Sequence, residues 1–213
     1  MFAGPPDRSR GRRCRFALLY ALLACVPTIA AATAEEHEAT SKLTLDAERS
    51  RADFEVKVLW LIGVHGRFGQ VHGTVTLDRF HGTVVADALI DVNTITMRNR
   101  SYEDWVKSDE FFAVRQYPQI HFVSDSFPIE RLSNGGEITG TLSLRGIDRR
   151  VTMEVERSDC PDAIASACPV EANGTIRRSE FGMKSRRGTL SDKVDLQFSI
   201  YLAAAIPAQD HAK

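Results

Sequence analysis

Hydrophobic and polar positions alternate with a period of two from residue 43 to about residue 203. The stretch DFEVKV sets Phe54, Val56 and Val58 on one face and Asp53, Glu55 and Lys57 on the other. QVHGTVTLD repeats this with Val71, Val75 and Leu77 against His72, Thr74 and Thr76. TLSLRGIDRRVTMEVE carries Leu142 and Leu144, a tight connection around Gly146, then Val151, Met153 and Val155 opposite Thr152, Glu154 and Glu156. DKVDLQFSIYL opposes Val194, Leu196, Phe198 and Ile200 to Asp195, Gln197 and Ser199. Such alternation marks antiparallel strands with one apolar and one wetted face. Turn signals such as His81-Gly82 and Ser133-Asn134-Gly135-Gly136 separate them. Roughly eight to ten strands are predicted, which suits a sandwich or an up-and-down barrel.

One segment breaks the pattern. RNRSYEDWVKSDEFF lacks alternation and offers Ser101-x-x-Asp104 as a capping box for a short helix around 100–110, with Tyr102, Trp105 and Val106 on one face. The segment ends in the adjacent Phe111 and Phe112, and Pro118 hands over to the strand QIHFVS. A short helix beside a barrel makes a lid or plug. Two readings stand: the Phe pair seals the barrel end as core, or at least one ring faces a ligand cavity.

About eight strands leave room for packed side chains or for one small ligand. The inward faces mix bulky and small residues (Val84, Ala86, Ala88, Ile90, Gly174, Ile176), and the small ones are expected to leave volume unfilled. The candidate lumen positions are Phe54, Val56, Val58, Phe68, Val71, Ile90, Trp105, Phe111, Phe112, Phe122, Leu142, Leu144, Met153, Phe181 and Met183. Alternation carried back from Val151 and forward from Ile176 points Arg149 and Arg178 inward near strand ends. With His65 they are candidates for a polar head group, through charge-assisted hydrogen bonds. The alternative is that the strands have ended and both guanidinium groups sit in solvent.

The N-terminus stands apart from this fold. RSRGRRCR precedes FALLYALLACVPTIAAATA, the order of a secretory signal with cleavage after Ala34. Pro27 and the alanine tail argue against a membrane anchor. LLAC, ending at Cys25, is the lipoprotein alternative, against which the apolar run after Cys25 counts; Arg12-Arg13 matches a twin-arginine signal poorly. A flexible segment at 35–42, a barrel domain at 43–203 and a tail at 204–213 follow. Cleavage removes five arginines and one aspartate from the 27 Lys+Arg and 28 Asp+Glu, leaving a net charge of −5. That balance gives no support to nucleic-acid binding. Cys160 and Cys168 flank CPDAIASAC and read as a disulfide stapling an insertion between strands, or else as two free thiols. The scattered histidines offer no metal cluster, so no metal is expected. With no G-x-S-x-G elbow, no H-E-x-x-H helix and no glycine-rich phosphate loop, no catalytic group is expected.

The pieces LTLDAERSRADFEVKVLWLIGVHGRFGQVHGTVTLD, SDEFFAVRQYPQIHFVS, ITGTLSLRGIDRRVTMEV, GTIRRSEFGMKS and LSDKVDLQFSIYL, in this order, resemble the YceI-like family. The resemblance implies an all-β, antiparallel, lipocalin-like barrel in the periplasm that holds a polyisoprenoid chain along its lumen. Two departures concern the ligand: family members often carry a histidine where this chain has Val58, and another where Trp105 stands. The leading expectation is a carrier or storage protein for an isoprenoid lipid or quinone-like ligand, without a cofactor, touching membranes transiently. A homodimer through strand edges stays open. The alternatives are a barrel enzyme using His65, His72 or His121, and a structural envelope protein with a filled core. On the alternation, His72 and His121 face outward or sit at strand ends.

Overall fold

The computed structural model describes residues 40–160 and 168–203. The proposed signal, Cys25, Arg12-Arg13 and the tail lie outside these residues. Among the described residues twelve strands form one antiparallel sheet: β1 (Thr40–Thr44), β2 (Arg51–Val58), β3 (Ile62–Phe68), β4 (Val71–Asp78), β5 (Thr83–Asp91), β6 (Ile95–Met97), β7 (Gln119–Ser124), β8 (Phe127–Pro128), β9 (Gly136–Leu144), β10 (Ile147–Val155), β11 (Val170–Arg177) and β12 (Leu190–Ile200).

The registers show how the sheet closes. β1 pairs β4 (Thr44 with Thr74) and β2 pairs β3 (Ala52 with Phe68), so β1–β2 and β3–β4 are two long strands of one hairpin. The first is bent at the Asp46–Ser50 turn, where Asp46 Oδ1 accepts from the Glu48 and Arg49 amides. The second bends at residues 69–70. From β4 the order runs through β5, β7, β9, β10, β11 and β12, which returns to pair β2. This is an up-and-down barrel of eight long strands. The expected flexible segment is corrected at its end: Thr40–Lys42 are strand, because β4 offers them a full backbone partner from Asp78 to Thr76.

Two short helices cap opposite ends. α1 (Arg100–Lys107) and the hairpin tip between β2 and β3 lie at one end, with the β9–β10 turn and the β11–β12 connection. α2 (Arg131–Asn134) and the β10–β11 connection, stapled by the Cys160–Cys168 disulfide, lie at the other. Residues 161–167 within that staple are outside the described ones. The N-cap of α1 is Asn99, whose side chain accepts from the Ser101 amide, so the Ser101-x-x-Asp104 capping box is not formed. An asparagine two residues upstream takes the first free amides, and the helix starts earlier. The turn at Ser133-Asn134 is a single helical turn, ended by Gly135 at φ 76.

Inward positions form one continuous core from Leu45 to Leu202. Three inward glycines seat large neighbours. A Cβ on Gly66 would meet Phe54 Cζ at 2.3 Å, one on Gly140 would meet Phe122 Cε2 at 2.6 Å, and one on Gly174 would meet Met153 Sδ at 2.1 Å. Gly174 therefore leaves no void, because Met153, its cross-strand partner, fills the space.

An apolar lumen capped by a short helix at each end

The barrel encloses a cavity of about 300 Å³. Its wall runs from Leu45, Phe127, Leu132 and Leu202 at the α2 end to Val58, Trp105, Arg186 and Thr189 at the α1 end. The cavity thus follows the barrel axis and is not a dent in its side. Phe54, Val56, Val58, Phe68, Val71, Ile90, Trp105, Phe111, Phe112, Phe122, Leu142, Leu144, Met153 and Met183 all line it. Phe181 does not: it is fully buried in the 3-10 turn Arg178–Phe181. Ala86 and Ala88, on the wall beside Phe122, supply the room that small inward residues were expected to leave.

The Phe pair enters the lumen through the backbone wound behind α1. Phe112 N–H donates to Val106 O at 3.0 Å and Ala113 N–H to Ser108 O at 2.8 Å, with Ala113 in the left-handed region at φ 49. Arg145, on the β9–β10 turn, donates to Asp109 O at 3.2 Å and to Phe111 O. Phe112 meets Phe54 and Phe68 edge-on at 6.1 and 5.6 Å, and Phe111 meets Trp105 at 4.7 Å. Such pairs prefer these offsets. Trp105 satisfies its indole N–H on Glu110 Oε2 at 2.8 Å, which leaves its ring free for the apolar side. Both readings of the pair therefore hold together: the rings cap the core and also face the cavity.

The head-group candidates fare differently. Arg178 lines the cavity but is buried, and four of its N–H groups donate to carbonyls: Nε to Ser191 O, Nη1 to Met183 O and Ser185 O, and Nη2 to Leu190 O, at 2.7–3.2 Å. The solvent reading is overturned for Arg178 and holds for Arg149, and most of the donor capacity of Arg178 is spent clamping the β11–β12 connection. Burial pulls its pKa down, the nearby Asp192 charge partly restores it, and Arg187 lowers it further. Asp192 lies below the usual carboxylate range: burial opposes ionisation, but the Ser179 hydroxyl and amide and the charges of Arg178 and Arg177 outweigh it.

Arg149 is exposed and donates to the Asp148 carbonyl. It lies outside the cavity wall because β10 leaves β11 beyond Met153, so the inward register no longer meets an enclosed interior. His65 is on the outer face, 3.9 Å from Glu55, because its neighbours Val64 and Gly66 take the inward positions. His72 is exposed, and His121 bonds Asp87 Oδ1 at 2.8 Å on the outer wall. Among the described residues no group of three or more His, Cys, Asp or Glu side chains could hold a metal.

Arg186 and Thr189 are the mouth residues that sequence reading missed. Arg186 stands over the Trp105 ring at 5.2 Å, a cation–π contact that ties the β11–β12 connection to α1. Its signal in the sequence was only a short basic run, Lys184-Ser185-Arg186-Arg187, outside any strand.

Comparison with known proteins agrees with this architecture. Protein YceI of Salmonella arizonae is 25% identical over 185 residues, covering 85% of this chain and 93% of that protein. Among solved structures, Burkholderia cenocepacia BcnA aligns with a TM-score of 0.62 at 23% identity, over 75% of this chain and 99% of its own. A polyisoprenoid binding domain from Saccharophagus degradans, implicated in plant cell wall breakdown, aligns at 0.55 and 16%, over 78% and 98%. At these identities the two structures speak to the fold alone. Residues 43–202 match the model of the YceI-like domain, and by that match over most of its length the chain belongs to the YceI-like family.

Proposed function

We propose that this protein is a periplasmic carrier that sequesters an amphiphilic isoprenoid-type lipid, with the hydrocarbon chain along the lumen and the head group at the α1 end. The observation that carries the reading is the apolar cavity running between the two ends of the barrel. Its size argues against a filled core. At roughly 24 cal/mol per Å³, an empty cavity of about 300 Å³ costs on the order of 7 kcal/mol. That is comparable to the whole stability of a domain, about 5–15 kcal/mol. A void this expensive is retained in exchange for a guest, and an apolar guest is favoured because no cluster of polar groups lines the interior to hold water.

Polar partners for a head group stand on the wall near the α1 end: Tyr102, Arg186 and Thr189. Asp53, Thr74 and Asp87 are the polar residues elsewhere on the lining, and Arg178 is committed to backbone carbonyls. The family membership and the polyisoprenoid binding domain among the solved structures of this fold support the isoprenoid class. A quinone-like head suits the same donors. Export by cleavage after Ala34 is part of the proposal, resting on the sequence of residues 8–34. No observation favours a barrel enzyme, since the three histidines that could serve one stand outside the lumen. The test is organic extraction of natively purified protein followed by mass spectrometry. One prenyl lipid per chain is expected; an extract free of lipid returns the protein to the structural reading.

A further inference from the structure

The tip of the β2–β3 hairpin reads Leu59-Trp60-Leu61-Ile62, and all four side chains are exposed, Leu61 at 88% and Trp60 at 65%. Single exposed apolar residues are ordinary, whereas a contiguous apolar patch marks an interaction surface. The backbone adds an independent sign. Leu59 and Trp60 both occupy the left-handed region, at φ 49 and φ 64. Hairpin turns of this hand are normally given to asparagine, aspartate and glycine. Bulky residues are held here at a conformational cost, and their side chains are not buried against the barrel.

The tip's position gives the cost a meaning. Leu59 N–H donates to Thr189 O at 2.7 Å, fastening the tip to the β11–β12 connection. Val58 and Thr189, on either side of that bond, both line the lumen. The same connection exposes Lys184, Arg186 and Arg187, and Lys57 is exposed beside the tip. Of the acidic groups nearby, Glu110 accepts from Trp105, Asp192 from Ser179, and Asp195 pairs with Lys193. Glu180 is exposed on the same connection, so the basic side chains outnumber the exposed acid there. A cationic collar around an apolar, tryptophan-bearing tip, in a chain of net negative charge after cleavage, is the composition of an interfacial membrane anchor.

We propose that the Leu59–Ile62 tip inserts into the interface of an anionic phospholipid bilayer, with Lys57, Lys184 and Arg187 on the head groups. The docked barrel then presents its α1 mouth to the membrane, so that a lipid can pass between bilayer and lumen without crossing water. This rests on the carrier reading and names the surface from which that carrier loads.

The experiment uses the mature chain and sucrose-loaded vesicles of phosphatidylglycerol and phosphatidylethanolamine. In the Trp105→Phe background Trp60 is the sole tryptophan. Its emission is expected to shift to the blue on mixing and to be quenched by brominated lipid. Leu61→Asp should lower the vesicle-bound fraction at least tenfold, and Lys184→Glu with Arg187→Glu several-fold. Leu59→Asn with Trp60→Gly installs the favoured turn chemistry, so it should raise Tm while abolishing sedimentation with vesicles. That opposition is not produced by a merely structural tip. Vesicle binding absent, or unchanged in Leu61→Asp, overturns the proposal. So does a concentration-dependent dimer that Leu61→Asp dissolves in a chain that ignores vesicles. Lipid extracted per chain is measured on the same variants: lipid present without docking sinks this inference alone, and lipid absent sinks the carrier reading beneath it.

Discussion

At one end of the barrel α2 buries Leu132, and Leu77, Phe127 and Leu202 close around it with almost no exposure. At the other end α1 is an equally local element, yet none of its residues is buried; Trp105 and Val106 only lean on the core while Tyr102 stays largely exposed. The first end is held by packing that water never reaches, together with the nearby disulfide. The second also has buried side chains, among them Phe111, Ala113, Val114 and Met183. There α1 itself is held over them by hydrogen bonds, a cation–π contact and aromatic edges, contacts that can be broken and remade separately. Elements with few buried contacts open at low free energy. On the proposed carrier reading, the difference makes the α2 end a closed base and the α1 end the side through which a guest passes.

Substitutions at the two ends should separate stability from exchange. Phe127→Ala at the base should cost about 3–5 kcal/mol in urea unfolding, with little change in how fast lipid leaves the protein that stays folded. Arg178→Met is next. It strips donors from the carbonyls of Met183, Ser185, Leu190 and Ser191 and should destabilise by about 3 kcal/mol, and Arg178→Lys should not rescue it because an ammonium lacks the planar fork. If Arg178→Met instead lowers lipid affinity in a chain of unchanged stability, the clamp role is wrong and the head-group role returns.

The gate should show the reverse pattern. Arg145→Ala frees the carbonyls of Asp109 and Phe111 that hold the Phe pair, so it should cost only about 1 kcal/mol but speed lipid release several-fold in a stopped-flow transfer assay. Equal rates in wild type and variant would show that the gate lies elsewhere.

The smallest effect belongs to the outer wall, which serves neither end. The side-chain hydrogen bond from Arg150, helped by Thr139, pulls the Asp125 carboxyl down to about 2. A depressed carboxylate stabilises the fold above its unfolded value of about 3.9 and loses that contribution as pH falls toward 2. Because the pair is exposed, the change should be a modest steepening of acid unfolding between those values. Arg150→Gln should move the Asp125 resonance midpoint upward in an NMR titration while leaving lipid exchange untouched.

How much of this was legible in the sequence follows from the range of each signal. Alternation is a local signal that needs only a strand and one buried face, so Phe54, Val71, Leu142 and Met153 could be placed inward without coordinates. It fails where a strand leaves its neighbour: Arg149 kept the inward register but lost the wall, because β10 and β11 separate beyond Met153. Arg178 could not be read because its partners are backbone carbonyls of a connection that has no pattern of its own. Arg186 and the Leu59–Ile62 tip matter only through what the barrel brings beside them. The lid helix was found and its cap misplaced, since Asn99 and Ser101 are both good caps and only the path of the preceding chain chooses.

The most direct test of the account is a titration of delipidated protein with a polyprenyl lipid, followed by quenching of Trp105 emission in a Trp60→Phe background, in parallel with Ala88→Phe. Ala88 lies on the lumen wall, and a ring there fills the space the chain should occupy. One lipid per barrel, with affinity at least tenfold weaker in a folded Ala88→Phe variant, is the expected result. Unchanged binding when the lumen is filled would mean that the lipid sits outside the barrel and would contradict the account.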